Sequence, residues 1–349
     1  MLLYIFLRVK WNRQETIAVK LRRIDWVGNF LVATSSCSML IGLTWADVVH
    51  PWVSAEVLAP LIIGIVGLVV FFIWERDYAT EAVIPIRIFN EWSAVVIYIN
   101  TFLCNFCLFF PAFFLPLFFQ AVHGSSPARA GVQMIPYTAF MFPSVIFTSV
   151  WLPKYGKYKY FHVAGFVFLT AGQGLFTLLE RGDSTAQWVC KTMVQPIGTG
   201  FIAGSMLPAI QSWTTEADMA AATAGFTYIR SISMVFGIAI PSTIFNTFAS
   251  RYASRIEDAD VRAMIREGNA FALGSKAFVM QYDDPVQSQI RETFQYAIET
   301  AFQSTIAFAG VGFILALICR DNVLRSELET QYGLEEKRKR EGAVAEKEV

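Results

Sequence analysis

The chain has 349 residues, 55% of them hydrophobic and only 16% charged, with a mean hydropathy of +0.46. Soluble domains carry about 25% charged residues, and here the charge is clumped, leaving apolar runs long enough to cross a bilayer. This excludes an ordinary soluble enzyme, a disordered chain and a nucleic-acid binder. Lys plus Arg and Asp plus Glu both number 28, so the net charge of zero says nothing about partners. The composition is that of an all-α, polytopic integral membrane protein whose first partner is the lipid bilayer.

Residues 1–25 open with seven apolar residues, MLLYIFL, and then turn basic. The run is too short to span and lacks the layout of a signal peptide. It reads as the last turns of a helix whose earlier part is absent, followed by a basic cytosolic linker; a short interfacial anchor is the alternative. Eight segments then satisfy the need for about 20 mostly apolar residues. They are 26–46, 57–74, 92–122, 130–152, 161–179, 187–210, 220–248 and about 298–319. Pro111 and Pro116 predict that the third bends or ends early, because proline removes a backbone donor. The 249–297 loop is the one sizeable element outside the bilayer. Within it Ile256, Val261 and Ile265 suit a short amphipathic helix, and Pro285 suits the start of the helix that leads into the last span. Residues 320–349 form a charged cytosolic tail.

Orientation follows from the basic residues. Eighteen of the 28 Lys and Arg lie in one alternate set of segments, which includes both ends of the chain, and eight in the other. Both termini are therefore expected in the cytoplasm.

The five cysteines lie in apolar runs and read as small hydrophobes, the Cys104/Cys107 pair included. An ionisable group inside a span costs roughly 2.5–3.5 kcal/mol at the helix centre, so Arg230 and Lys191 stand out. Arg230 lies ten residues into its span, near the midplane. The 3–4 spacing puts Thr223, Thr227, Arg230, Ser233 or Met234, Gly237 and Pro241 on one face. Phe226, Ile229, Ile232 and Phe236 occupy other faces and are expected to meet lipid. Two readings of Arg230 stay open: a cavity cation that meets an anionic substrate or a carboxylate, or a structural arginine bonded to carbonyls of a neighbouring helix. Lys191 lies near a span end, where its stem can snorkel to the interface. Along the same helix Gln195, Pro196 and Thr199 carry polarity and a helix break inward, and Gly200 and Gly204 form a close-packing GxxxG. Asn100, Asn105, Gln133, Tyr137 and Gln173 are the other polar groups within spans.

The acids gather outside the spans, from Asp25, Asp47, Glu56, Glu75 and Asp77 to those of the last loop and tail. His50, His123 and His162 sit at span ends or in loops. This leaves no evident proton carrier in the chain. There is no HExxH, GxSxG or P-loop, so no enzyme activity, metal or cofactor is expected.

Several stretches resemble the fungal multidrug:proton antiporters of the major facilitator superfamily, in its fourteen-span branch. They are KLRRIDWVGNFL (20–31), LIGLTWADVVHPWVS (40–54), VIPIRIFN (83–90), FFLPLFFQAVHGSSPARAGVQMIP (113–136) and ATAGFTYIRS (222–231), joined by the run that leads into the last span. The resemblance implies that 26–74 are two linking transmembrane helices and 92–319 the C-terminal six-helix bundle, the first six spans being absent. It implies export of small amphipathic drugs, toxins or secondary metabolites by proton antiport, from the plasma membrane or the vacuolar membrane. This half would supply one wall of a cavity, with Arg230, Gln195, Asn105 and Tyr137 as contributors. A missing N-terminal bundle or a partner chain would complete it; the alternative is a non-transporting half-transporter. Relatives carry a paired glycine after the arginine, where this chain has Ser231 to Gly237 with a single glycine, which predicts looser packing there.

Overall fold

The computed structural model describes residues 24–46, 49–79, 86–322 and 324. The helical-end and basic-linker reading of 1–25 and the tail reading of 320–349 therefore fall mostly outside the described residues.

The described chain is helical, and no β-strand occurs among these residues. In chain order, α1 is Trp26–Trp45, α2 Ala55–Asp77, α3 Trp92–Leu117, α4 Pro127–Gln133, α5 Ile135–Tyr155, α6 Lys159–Phe176 and α7 Thr185–Ser212. There follow α8 Met219–Tyr252, three short helices α9 Ala259–Met264, α10 Ala270–Leu273 and α11 Lys276–Val279, and α12 Val286–Ile318. Among the described residues seven helical segments are long and apolar enough to cross a membrane: α1, α2, α3, α4–α5, α7, α8 and α12. The segment expected as the fifth of eight spans is α6, with 18 residues. Lys159, His162 and Gln173 make it less apolar than the rest, so length and composition alone give seven.

The start signals act as their chemistry requires. Asp25 accepts from Gly28 N at 2.8 Å to begin α1, and its carboxylate also receives Trp74 Nε1 of α2 at 3.1 Å. Ser54 caps α2 and Ser126 caps α4, while Ser184 and Gln187 form a reciprocal capping box on α7. The third span does not end early. α3 runs through Pro111 and Pro116 to Leu117, and the wide turn Phe118–Val122 continues it. Pro111 is tolerated because neighbouring helices bond the carbonyl that it releases.

Small residues set the helix contacts, as expected where no water drives association. Gly165 and Gly198 face each other between α6 and α7, where a Cβ on Gly198 would collide with the Gly165 carbonyl oxygen. Gly172 packs in the same way on the backbone of Gln195. The GxxxG of α7 faces α5: a Cβ on Gly200 would lie 2.5 Å from Ser144 Cβ, and one on Gly204 2.9 Å from Thr148 Cβ. Gly237 of α8 approaches Phe106 of α3 closely, a Cβ there lying 2.9 Å from the Phe106 carbonyl oxygen. α1 and α2 pack on each other through Gly28, Gly42, Gly64 and Gly67, and α1 reaches α8, where Thr243 Oγ1 donates to Leu43 O at 2.8 Å.

The 249–297 segment is more ordered than a loop. α8 continues to Tyr252 and α12 begins after Pro285, so only a compact cap remains between them. Ile256, Val261 and Ile265 are buried in one apolar cluster with Phe110, Phe114, Phe245 and Phe294 of the long helices. Asp258 caps α9, and Asn246 Oδ1 receives Phe271 N at 3.1 Å, tying α10 to α8. α12 has 33 residues, about 50 Å at 1.5 Å per residue, which exceeds the roughly 30 Å of hydrocarbon.

Two acids lie deeper than the sequence suggests. Glu75 is buried in the last turn of α2, and Glu299 is half-buried within α12, where it accepts from Gln303 Nε2 at 3.0 Å. Glu75 follows the apolar run of α2, whereas Glu299 falls within the first turn of the expected 298–319 span.

The α6–α7 contact gives a direct test. Gly198→Ala forces a methyl group against backbone and should cost about 1–3 kcal/mol, read as a lowered unfolding midpoint of the purified chain. Gly174→Ala, where a Cβ would meet nothing within 4 Å, should leave that midpoint unchanged.

Candidate functional site

Pro111 organises the centre of the bundle. With no N–H, it leaves the carbonyl of Cys107, four residues back, without its helical donor. Two glutamines supply replacements: Gln173 Nε2 of α6 and Gln195 Nε2 of α7 both donate to Cys107 O at 3.1 Å. The next carbonyl, that of Leu108, receives the Tyr137 hydroxyl at 3.2 Å. Gln173 Oε1 in turn accepts from Thr305 of α12 at 3.2 Å, and Gln195 Nε2 also reaches Thr199 Oγ1 at 3.1 Å. All of these side chains are buried. One released carbonyl thus gathers α3, α5, α6, α7 and α12 around a single point.

A cavity of about 200 Å³ adjoins this point, bounded by α3, α5, α7 and α8. Its lining includes Leu108, Met141, Val145, Met206 and Phe226, with Asn105, Thr199 and Arg230 supplying polarity. Arg230 is exposed on α8, its Nε donates to Asn105 Oδ1 at a long 3.4 Å, and its guanidinium sits 5.4 Å from the Phe226 ring centre. That stacking is a cation–π contact. Asn105 is itself held by donating Nδ2 to Thr101 O at 2.8 Å. Among the described residues no carboxylate pairs with Arg230 and no backbone carbonyl accepts from it. Its positive charge is compensated only by a ring face and an amide.

Of the four residues that the sequence singles out, Arg230 and Asn105 meet at the cavity. Gln195 and Tyr137 lie one layer behind it, committed to the carbonyls of Cys107 and Leu108. The polar stripe of α8 also divides. Thr227, Arg230 and Met234 are exposed, whereas Ser233, Gly237 and Pro241 are buried. Phe226 and Phe236 do not meet lipid as expected, since both belong to the core with α3, and the Phe236 ring lies 6.1 Å from that of Phe102. The exposed residues of α8 therefore include Thr227, Arg230 and Met234, and Arg230 still reaches Asn105 of α3. Sequence reasoning missed the apolar lining, because Met141, Val145 and Met206 carry no signal that separates cavity from lipid. Gln173 was visible only as one polar group among several, although Pro111 predicts that Cys107 needs a donor from somewhere.

Lys191 bends back to the loop before its helix, donating to Leu178 O at 2.5 Å and to Asp183 Oδ1 at 2.7 Å. It takes no part in the cavity. Cys104 and Cys107 are free and buried.

Stacked apolar helices and glycine-mediated contacts define an integral, multi-pass membrane protein. Comparison with known proteins finds similarity to fungal transporters. No family model matches the chain. It is 38% identical over 350 residues to the MFS-type transporter TwmF of Talaromyces wortmannii, covering 99% of this chain and 63% of that protein. It is 36% identical to the MFS efflux transporter aclA of Aspergillus oryzae over 95% of this chain and 60% of the relative. The acurin A biosynthesis cluster MFS-type transporter of Aspergillus aculeatus is 35% identical, over 96% and 61% respectively. The chain thus spans about three-fifths of the length of these relatives.

The carbonyl clamp is testable by a cycle. Gln173→Leu with Gln195→Leu strips both donors from Cys107 O and should destabilise by about 1–3 kcal/mol, the cost of an unpaired buried acceptor. Pro111→Ala restores a helical N–H, so the same double substitution should cost measurably less in that background. Thermal unfolding of the four proteins reads the difference.

Proposed function

We propose that this chain belongs to the major facilitator superfamily and forms the cavity wall of an exporter of small amphipathic organic compounds. The carrying observation is Arg230, an exposed cation on α8 beside an apolar cavity. A substrate with an acidic group and an apolar body would match both features at once. The printed names of the relatives, an efflux transporter and a biosynthesis-cluster transporter among them, support secondary metabolites as the cargo.

On this reading α6 is an eighth span. It packs along α7 from Gly165 to Gly172, and a helix running beside a spanning helix between two others must itself return across the bilayer. α1 and α2 are then the two linking spans of a fourteen-span plan, and α3 to α12 the C-terminal bundle. The first six spans, or a partner chain, close the cavity opposite Arg230. Transport proceeds by rocking of the two bundles and is coupled to proton antiport, with the proton-carrying group on the other bundle. Both termini face the cytoplasm, and the plasma membrane is the site of action.

A second reading rests on the three-fifths coverage of the relatives: the 349 residues alone bind cargo but do not move it. The two readings separate in proteoliposomes. The chain joined to a six-span N-terminal bundle should drive pH-gradient-dependent movement of an anionic amphipathic dye, and the chain alone should not. In the joined protein Arg230→Ala should lower that rate at least tenfold at unchanged membrane abundance, with Arg230→Lys retaining part of it. Efflux unchanged by Arg230→Ala removes the residue from the pathway.

A further inference from the structure

A second cavity, larger than the first at about 460 Å³, lies at the end of the bundle that carries Lys154 and Lys157. α5, α7 and the start of α8 form it, with Leu152, Pro153, Pro208 and Met219 as apolar walls and Gln211 as a polar one. No charged side chain lines it. It sits on the same three helices as the Arg230 cavity, and Met219 precedes Arg230 by eleven residues, about 16 Å along α8. Its volume falls within the roughly 300–1,000 Å³ of small-molecule sites.

One further lining residue comes from beyond the last helix. After α12 the chain crosses this end of the bundle under a series of bonds. Arg320 N donates to Ser93 Oγ at 3.2 Å, and Arg320 O accepts from the Tyr158 hydroxyl at 2.7 Å. That hydroxyl in turn accepts from Trp213 Nε1 at 2.7 Å, and Asn322 Nδ2 donates to Ser212 O at 2.7 Å. Burial raises the Tyr158 phenol further above its ordinary pKa. The result is that Leu324 is delivered into the cavity as one of its walls. Gln211 donates to Thr223 Oγ1 at a long 3.4 Å, and its amide oxygen accepts nothing among the described residues.

We infer that this cavity is a binding site for a neutral, drug-sized amphipathic molecule, with Gln211 as its polar contact and Leu324 as a wall that tunes its size. An apolar enclosure with one uncommitted amide favours a neutral body carrying a hydrogen-bond donor or acceptor. It gives an anion nothing to pair with. The chemistry is thereby distinct from that at Arg230, and the inference concerns binding whether or not the chain transports.

The test is equilibrium binding of Nile red, a neutral amphipathic dye, to the purified 349-residue chain in lipid nanodiscs. Met219→Trp should fill the cavity and weaken binding at least tenfold, and Leu324→Ala should change affinity at least threefold. Arg230→Gln should leave it within twofold. Should Met219→Trp fail to fold, Gln211→Leu preserves volume and should weaken binding three- to tenfold. A neutral diazirine amphiphile should label peptides containing Leu152–Pro153 and Gln211, and excess Nile red should suppress that labelling. Affinity unchanged in both the Met219 and Gln211 variants, labelling confined to other segments, or no saturable binding would each overturn the inference. Loss of dye efflux in the joined protein with Nile red binding intact would instead count against the transport reading alone.

Discussion

The carbonyl of Cys107 is the point on which the bundle turns. In water, a proline-released carbonyl finds a solvent donor at little cost. Inside hydrocarbon it must be satisfied by protein, and here two amides from different helices converge on it. Each glutamine has to be fully desolvated to do this: Gln173 also receives Thr305, and Gln195 Nε2 also reaches Thr199, while Gln195 Oε1 is buried without a partner among the described residues. The position of α3 relative to α6, α7 and α12 is thereby fixed by directional bonds as well as by van der Waals contact. The glycine contacts at Gly165, Gly172 and Gly198 then follow, because amides as short as those of glutamine reach α3 only if α6 and α7 lie close together.

That arrangement also decides what the cavity can offer. With Gln195 and Tyr137 held by α3 carbonyls, the polar groups left to face the space are Asn105, Thr199 and Arg230. A guanidinium within the bilayer usually pairs with a carboxylate or with carbonyls. Among the described residues Arg230 has only a ring face and a long amide contact, and its exposed guanidinium keeps donors free for a further partner. Such a group gains from any anion that approaches it, which is the physical basis of the proposed role of Arg230.

Much of the fold was legible because a bilayer simplifies the code. Every long apolar run became a helix, and the GxxxG of α7 meets another helix as its spacing suggests. Arg230 announced itself through the cost of a charge at mid-span. What was not legible depended on which helices are neighbours. The 3–4 spacing of α8 assigned Phe226 and Phe236 to lipid, yet they pack on α3, because a stripe of small residues says that a helix has two unlike faces but not which of them meets a partner. The cap formed by α9 to α11 was read as a loop with one amphipathic turn, because its buried residues are too few and too scattered to show a period. The signal for the clamp was present in part: a proline at 111 implies an orphan acceptor at 107. The sequence does not say which glutamine answers it.

The two cavities show how one face of a bundle can carry unlike chemistry without a change of fold. Both lie along α5, α7 and α8, yet only the deeper one holds a charge. Near the end of the bundle the neighbouring lysines can reach water, and no cation needs to be kept inside the lining. A neutral enclosure there costs nothing electrostatically, and its walls can be drawn from whatever chain passes by, Leu324 included. Deeper in the bilayer a lone cation is expensive and persists only where something recovers the cost. The order along α8 is therefore neutral at Met219 and cationic at Arg230, two unlike environments on one helix.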